Sequence, residues 1–238
     1  MQTGEEELRS EGGGQTSLKE EAARAAVEHI EAGMVVGLGS GSTASIAIRL
    51  MGAKVRGGMR IVGIATSRDS EILGRSVGIE IGELKDHPVV DLTIDGADEV
   101  DPKLNLIKGL GGALVREKIV ASATKVVIIV VDESKLVEHL GQKSPLPVEI
   151  VRFAHHSTMR ALERLGCVPK LRMRDGEVFV TDNGNYIADC RFEMIENPRK
   201  LESVINLIPG VVDNGLFVGL AHKVIVASKD GIRVMGKK

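Results

Sequence analysis

The stretch MVVGLGSGSTASIAIRLM, Met34 to Met51, decides the fold. An apolar run, Met34 to Leu38, enters the glycine turn GSGST, and ASIAIRLM continues with apolar residues at helical spacing. A strand that feeds a helix through a tight glycine turn is the first half of a βαβ unit. The same texture recurs downstream. RIVGIAT precedes the helix-like SRDSEILGRSVG, and VVDLTIDGAD, GALVREKIVASA and KVVIIVVD follow as strand, helix and strand. Strands that are almost continuously aliphatic are buried on both faces, which is the habit of parallel sheets. The fold class is therefore α/β: a Rossmann-like doubly wound parallel sheet, with its ligand crevice at the carboxyl ends of the strands.

The texture changes near Ser144. SPLPVEI, Ser144 to Ile150, reads as a proline-punctuated linker, and TMRALERLG as a helix. RDGE (Arg174 to Glu177) and DNGN (Asp182 to Asn185) read as hairpin turns between short strands, and RKLESVINLI as a helix closed by Pro209 and Gly210. These predict a second, smaller α+β domain of ferredoxin-like type. The tail GLFVGLAHKVIVASKDGIRVM returns to long aliphatic strands that can rejoin the first sheet. The expected division is a disordered N-terminal extension over 1–16, a catalytic domain over 17–141 plus 219–238, and a small lid and oligomerisation domain over 142–218. Within SLKE, Ser17 and Glu20 form a capping box for the first helix, and Gly33 marks its end.

Composition narrows the function. Of 238 residues 43% are hydrophobic, but only 2% are aromatic and none is Trp. Such a chain lacks the stacking platforms that single-stranded nucleic acid uses, and a net charge of -2 gives no basic field for DNA or RNA. The longest apolar run, Val126 to Val131, is too short to span a bilayer. Cys167 and Cys190 match neither a disulfide framework nor a zinc spacing, and read as core thiols in a reducing compartment. A soluble cytoplasmic protein acting on small molecules is the expectation.

Three loops at predicted strand ends carry the chemistry. GLGSGST, Gly37 to Thr43, satisfies neither the dinucleotide fingerprint nor the Walker loop, because Ser42 stands where they need Gly or Lys. Its glycines, hydroxyls and helix N-terminus still suit an anion. TIDGADEVD places Asp95, Asp98, Glu99 and Asp101 within seven residues. That cluster fits a solvated turn, a magnesium site or an acid/base pair. The place of Asp95 at a strand mouth, with Gly96 and Ala97 open to a ligand, favours acid/base work or hydroxyl binding. In KGLGGALVREK, Lys108 to Lys118, a helix beginning near Ala113 puts Glu117 at about 40° on the wheel. Val120, Ala113, Ala121 and Leu114 share that arc, so the carboxylate emerges among apolar residues. Partial burial would raise its pKa toward the range of a general base, whereas pairing with Lys118 or Arg116 would leave it an ordinary surface group. Lys135 ends a fourth strand at the same rim, and Lys19 in the first helix can reach an anion. The six histidines are scattered, with His155 and His156 in a loop, and no catalytic metal is expected.

Taken together, GLGSGSTA, TSRDSE, TIDGADEVD, LIKGLGGALVREKI, VDESK, LPVEI, TDNGN and the IPGVV segment resemble, in this order, the type A ribose-5-phosphate isomerases, from about Lys19 to Gly231. Leu110 stands where that family often has glycine, and Ser40 where it usually has threonine. The resemblance implies a metal-free and cofactor-free interconversion of D-ribose 5-phosphate and D-ribulose 5-phosphate through an enediolate. It implies Glu117 as the proton-transferring base. Substrate would touch Ser40, Gly41, Ser42 and Thr43; Asp95, Gly96, Ala97 and Asp98; Lys108, Gly109, Leu110 and Gly111; and Lys135. Lys108 would steady the enediolate, Asp95 and Asp98 would share the ring opening in an undecided order, and Lys19 would help hold the phosphate. A homodimer, or beyond it a homotetramer, is implied as well, with no nucleic-acid or membrane partner.

Other functions remain open on sequence alone. An amino-sugar-phosphate isomerase/deaminase or an acyl-CoA transferase would reuse such a sheet. A sugar-phosphate sensor would need a helix-turn-helix module, for which Met1 to Thr16 are too short and acidic. An NAD(P) oxidoreductase is disfavoured by Ser42.

Overall fold

The computed structural model describes residues 18–236. The expected extension over 1–16 and the Ser17 end of the capping box lie outside the described residues. Helix α1 (18–27) buries Ala22, Ala23, Ala26 and Val27 along one stripe. It ends well before Gly33, contrary to the sequence reading. Bonds from His29 N to Ala26 O (3.1 Å) and Ile30 N to Val27 O (3.2 Å) tighten the last turn, and the chain then leaves the helix. Gly33 serves the next junction, with φ +88° and its N–H given to Arg60 O at 2.7 Å.

β1 (Val35–Leu38) leads into α2 (Ser42–Arg56), and β2 (Val62–Ala65), α3 (Arg68–Ser76), β3 (Glu80–Ile81) and β4 (Val90–Asp95) follow. Two short strands, β5 (Glu99–Val100) and β6 (Leu106–Ile107), precede α4 (Leu114–Ser122) and β7 (Thr124–Asp132). Next come β8 (Leu146–Ile150), α5 (His155–Glu163), β9 (Val168–Leu171), β10 (Met173–Arg174) and β11 (Glu177–Val178). β12 (Tyr186–Arg191), α6 (Pro198–Asn206), β13 (Val211–Asn214), β14 (Leu216–Phe217), β15 (Lys223–Ser228) and β16 (Gly231–Gly236) complete the order.

The large sheet runs β16-β15-β7-β4-β1-β2-β3 and is parallel except for β16. From β1 the chain builds outward through β2 and β3, then returns to add β4, β7 and β15 on the other side. The order therefore reverses between β1 and β4, and a crevice opens beyond their carboxyl ends. That crevice lies where the loops Gly39–Gly41 and Gly96–Asp98 emerge. The aliphatic strands pack against α1 and α2 in one cluster that includes Val36, Leu38, Ile94 and Ile128.

A four-stranded antiparallel sheet, β13-β8-β12-β9, carries α5 and α6. Its strands stand fourth, first, third and second in chain order, which is the ferredoxin-like arrangement. SPLPVEI is not a linker. Its last five residues are β8, wholly buried between β13 and β12. Pro147 fits there because its carbonyl accepts from Gly215 N at 2.7 Å and the strand tolerates one missing donor. RDGE does turn a hairpin, between β10 and β11, with Asp175 and Gly176 both left-handed. DNGN does not. It closes on itself through Thr181 N to Asn185 O (2.9 Å), while β12 pairs with β8 and β9. His155 and His156 open α5 rather than lying in a loop. Cys167 and Cys190 are free and buried in the small core. Among the described residues no helix is long and apolar enough to cross a membrane.

Candidate active site

Asp95, the last residue of β4, is buried, and its carboxylate organises the crevice. Oδ1 accepts from Ser40 N (3.1 Å) and Gly96 N (2.7 Å), and Oδ2 faces Lys108 Nζ at 2.9 Å. β1 passes so close to this group that a Cβ on Gly39 would overlap it, so the first glycine of the loop is a packing requirement.

Lys108 follows β6 and is 3% exposed. Its Nζ donates to Gly96 O at 2.6 Å and stands 2.9 Å from Asp95 and 3.4 Å from Glu117 Oε2. Burial by itself would lower the pKa of this amine. Asp95 and Glu117 reverse that and raise it, so the ammonium stays charged. The ring of Phe217, 5.5 Å from Nζ, closes one side of its pocket.

Glu117 sits in the first turn of α4 on the same face as Leu114, Val120 and Ala121, all buried. That is the apolar arc which the helical wheel predicts. Neither neighbouring cation pairs with it. Arg116 turns to Asp182, and Lys118 turns to Asp213 (2.8 Å) and Glu202 (3.4 Å). Burial pushes the Glu117 carboxyl up to about 8 against the pull of Lys108, and Asp95 and Asp98 push the same way. Oε2 lies within ion-pair distance of Lys108, which is its one charged partner among the described residues. A carboxyl raised in this way, in the wall of a cavity, suits proton transfer near neutral pH.

Asp98 is half-buried at the mouth. Its Oδ2 accepts from Leu110 N at 2.9 Å; burial raises its pKa, opposed by that N–H and by Lys108, Lys135 and Arg172. Across the crevice, Gly41 takes φ +88° and starts α2 with no side-chain cap and no acidic residue in the first turn. The first N–H groups of the helix, the hydroxyls of Ser42 and Thr43, and Lys19 Nζ, 3.3 Å from Ser42 Oγ, meet in one corner whose chemistry suits an anion. Ser40 is turned away from this work. Its hydroxyl is engaged with Thr66 and Ser67, each at 2.8 Å.

These groups enclose a cavity of about 130 Å³. Lys19, Ser40, Gly41, Ser42, Thr43, Gly96, Ala97, Asp98, Lys108, Gly109, Gly111, Glu117 and Lys135 line it. Of the residues expected from sequence, Asp95 and Leu110 are not in the lining. Asp95 lies beneath as the partner of Lys108, and Leu110, 40% exposed, contributes its N–H to Asp98. Sequence reasoning missed Gly39, Thr66, Ser67 and Phe217. The TSRDSE motif signalled the pair Thr66–Ser67, but nothing local marked Phe217, which lies 100 residues from Glu117 in the chain. Among the described residues no group of three His, Cys, Asp or Glu side chains is placed to hold a metal ion.

Comparison with known proteins converges on one group. The family described as ribose 5-phosphate isomerase A (phosphoriboisomerase A) matches residues 62–231. The ribose-5-phosphate isomerase A of Gloeobacter violaceus is 56% identical over 219 residues, covering 92% of this chain and 95% of that protein. The structure of ribose 5-phosphate isomerase A from Methanocaldococcus jannaschii aligns with a TM-score of 0.89 at 41% identity, covering 93% of this chain and 99% of that one. A D-ribose-5-phosphate isomerase solved in complex with phospho-erythronic acid aligns with a TM-score of 0.90 at 41% identity, covering 93% and 98%.

Proposed function

This chain belongs to the ribose 5-phosphate isomerase A family, and we propose that Glu117 is the base that carries its reaction. The enzyme interconverts D-ribose 5-phosphate and D-ribulose 5-phosphate, a step of the pentose phosphate pathway. The observation that supports the assignment of Glu117 is its place: a buried carboxyl in the cavity wall, 3.4 Å from the Lys108 ammonium, which burial pushes up to about 8.

In the proposed mechanism the Glu117 carboxylate takes the proton from C2 of the open-chain aldose. Electrons move into the C1 carbonyl, giving an enediolate. The same carboxyl then returns the proton to C1, since the two carbons are adjacent, while the O2 hydroxyl proton passes to O1. Negative charge builds on oxygen beside Lys108, whose ammonium is fixed by Asp95 and Gly96 O before substrate arrives. Preorganised stabilisation of this kind is worth about 3–4 kcal/mol per donor.

Ribose 5-phosphate is mostly a closed furanose, and ring opening must move a proton from the anomeric hydroxyl to the ring oxygen. Both oxygens of Asp95 are held by Ser40, Gly96 and Lys108, whereas Asp98 lines the cavity with a raised pKa. We therefore give the ring opening to Asp98 and make Asp95 the group that positions Lys108. The N-terminus of α2 with Ser42, Thr43, Lys19 and Lys135 would hold the phosphate. Its binding energy then fixes C1 and C2 against Glu117.

The family resemblance also supports a homodimer or homotetramer, a division near 142 and 218 in which the smaller domain acts as lid and oligomerisation surface, and a cytoplasmic location. Phe153 and Leu207, 89% and 81% exposed on that smaller domain, favour a contact between copies, and sedimentation velocity tests it. The chemistry is tested in deuterated water. Deuterium should enter C1 of the product, and complete retention of the substrate hydrogen would argue for a hydride shift instead.

A further inference from the structure

The connection between β9 and β12 (172–185) crosses from the small domain onto the segment Gly109–Glu117 and grips it along its length. At one end Arg172 Nη1 donates to Gly109 O (2.9 Å) and Leu110 O (2.8 Å). Its Nε and Nη2 are locked on the carboxylate of Asp189. In the middle Phe179 lies against Gly112, where a Cβ would fall 2.5 Å from the ring. At the other end Arg116, next to Glu117, donates through Nε to Asn183 Oδ1 (2.9 Å) and through Nη2 to Asp182 O (3.1 Å).

The gripping loop is itself held from within. Glu149 is fully buried, and its Oε1 accepts from Thr181 Oγ1 (3.0 Å), Asn183 Nδ2 (3.1 Å) and Asn185 Nδ2 (2.9 Å). Three donors on one buried oxygen leave the TDNGN turn little freedom. Asp182 Oδ2 also accepts from Arg68 N at 2.8 Å, directly after Ser67, whose hydroxyl receives that of Ser40. One turn thus ties the base on α4 to the anion-binding loop after β1.

The segment gripped in this way is a glycine bend that runs into α4, where Glu117 N donates to Ala113 O at 3.0 Å. The glycine bend closes through Gly112 N to Gly109 O (3.0 Å), and Arg172 takes the carbonyls on either side of Leu110 N, the donor to Asp98. We propose that Arg172 and Asn183 are positioning residues for the isomerisation: from the small domain they set the placement of Glu117 and of the Asp98 carboxylate. Neither touches the reacting atoms. The proposal rests on the reading of Glu117 as the base.

The test uses Arg172→Lys, which keeps the charge facing Asp98 but not the forked geometry, and Asn183→Ala, an exposed position that loses its bond to Arg116 and one of three donors to Glu149. Both are assayed on ribose 5-phosphate across pH, at a temperature where thermal melting shows full folding. A misplacement of the order of 1 Å should lower kcat by about tenfold to a hundredfold with KM changed less than about threefold. The acid limb of kcat/KM should move to lower pH as water reaches Glu117, because Lys108, Asp95 and Asp98, which face it, are unchanged in both variants. Folded variants with unaltered kcat and pH profile would overturn the proposal. So would losses that follow melting temperature alone. Should Arg172→Lys not fold, Asn183→Ala decides the question. Glu117→Gln separates the two claims. If it stays active the base assignment fails, whereas if it is inert and the positioning variants behave as wild type, only the positioning claim fails.

Discussion

Lys108 Nζ stands 3.4 Å from Glu117 Oε2, with both side chains at most 6% exposed, and Asp95 faces the same ammonium from 2.9 Å. One buried cation thus answers two carboxylates. Its removal should act on both the fold and the chemistry. Lys108→Met leaves two buried acids without their cation and should cost about 3–5 kcal/mol of stability in urea unfolding. On the fraction that remains folded, kcat should fall by roughly a hundredfold to a thousandfold. A folded variant with near-native kcat would remove Lys108 from the mechanism.

The Glu117 carboxyl, pushed up to about 8 by burial, predicts an acid limb. The kcat/KM of the free enzyme should rise with pH through about 8, as the base ionises. Stability should run the other way. The raised pKa means that the folded state holds more protons than the unfolded state between the two values. This contribution is fully present below 4.5 and is lost as pH climbs through about 8. Urea midpoints measured from about pH 5 to pH 8 should show that slope, and Glu117→Gln should flatten it. A wild-type slope in the variant would mean that another group titrates.

Gly39 tests the packing beneath the site. Gly39→Ala places a Cβ 2.6 Å from Asp95 Cα, and β1 or β4 must shift. Overpacking should cost about 1–3 kcal/mol. Since Asp95 positions Lys108, kcat/KM should drop by about tenfold or more. Unchanged activity would show that the approach of β1 to Asp95 is not needed.

The corner proposed to hold the phosphate makes a selectivity prediction. Lys19→Ala or Lys135→Ala should lower kcat/KM for ribose 5-phosphate by about tenfold to a hundredfold, the worth of one charged hydrogen bond. Binding of unphosphorylated D-ribose should hardly change. Equal losses for both sugars would place these lysines outside the phosphate site.

Legibility in the sequence followed the range of the interactions. β7, with its run Val126 to Val131, and the glycine turn after β1 are local patterns, and they led to the doubly wound sheet and to the crevice. Glu117 was visible as a carboxylate in an apolar arc of α4. Pro147 concealed β8, because a proline normally breaks a strand and only the sheet around it shows that its missing donor is tolerated. DNGN has the composition of a hairpin turn, but Asp182 and Asn183 spend their polar groups on Arg68 and Arg116, 114 and 67 residues away. Arg172 reaches Gly109 across 63 residues. No spacing rule reports contacts of that length.

The most direct test of the central claim is Glu117→Gln, with the dissociation constant for ribose 5-phosphate and kcat measured on the same folded preparation. Substrate affinity should stay within about threefold while turnover falls by about ten-thousandfold, because the amide fills the same space and cannot accept the C2 proton. Turnover close to wild type, or a loss that merely follows weakened binding, would contradict it.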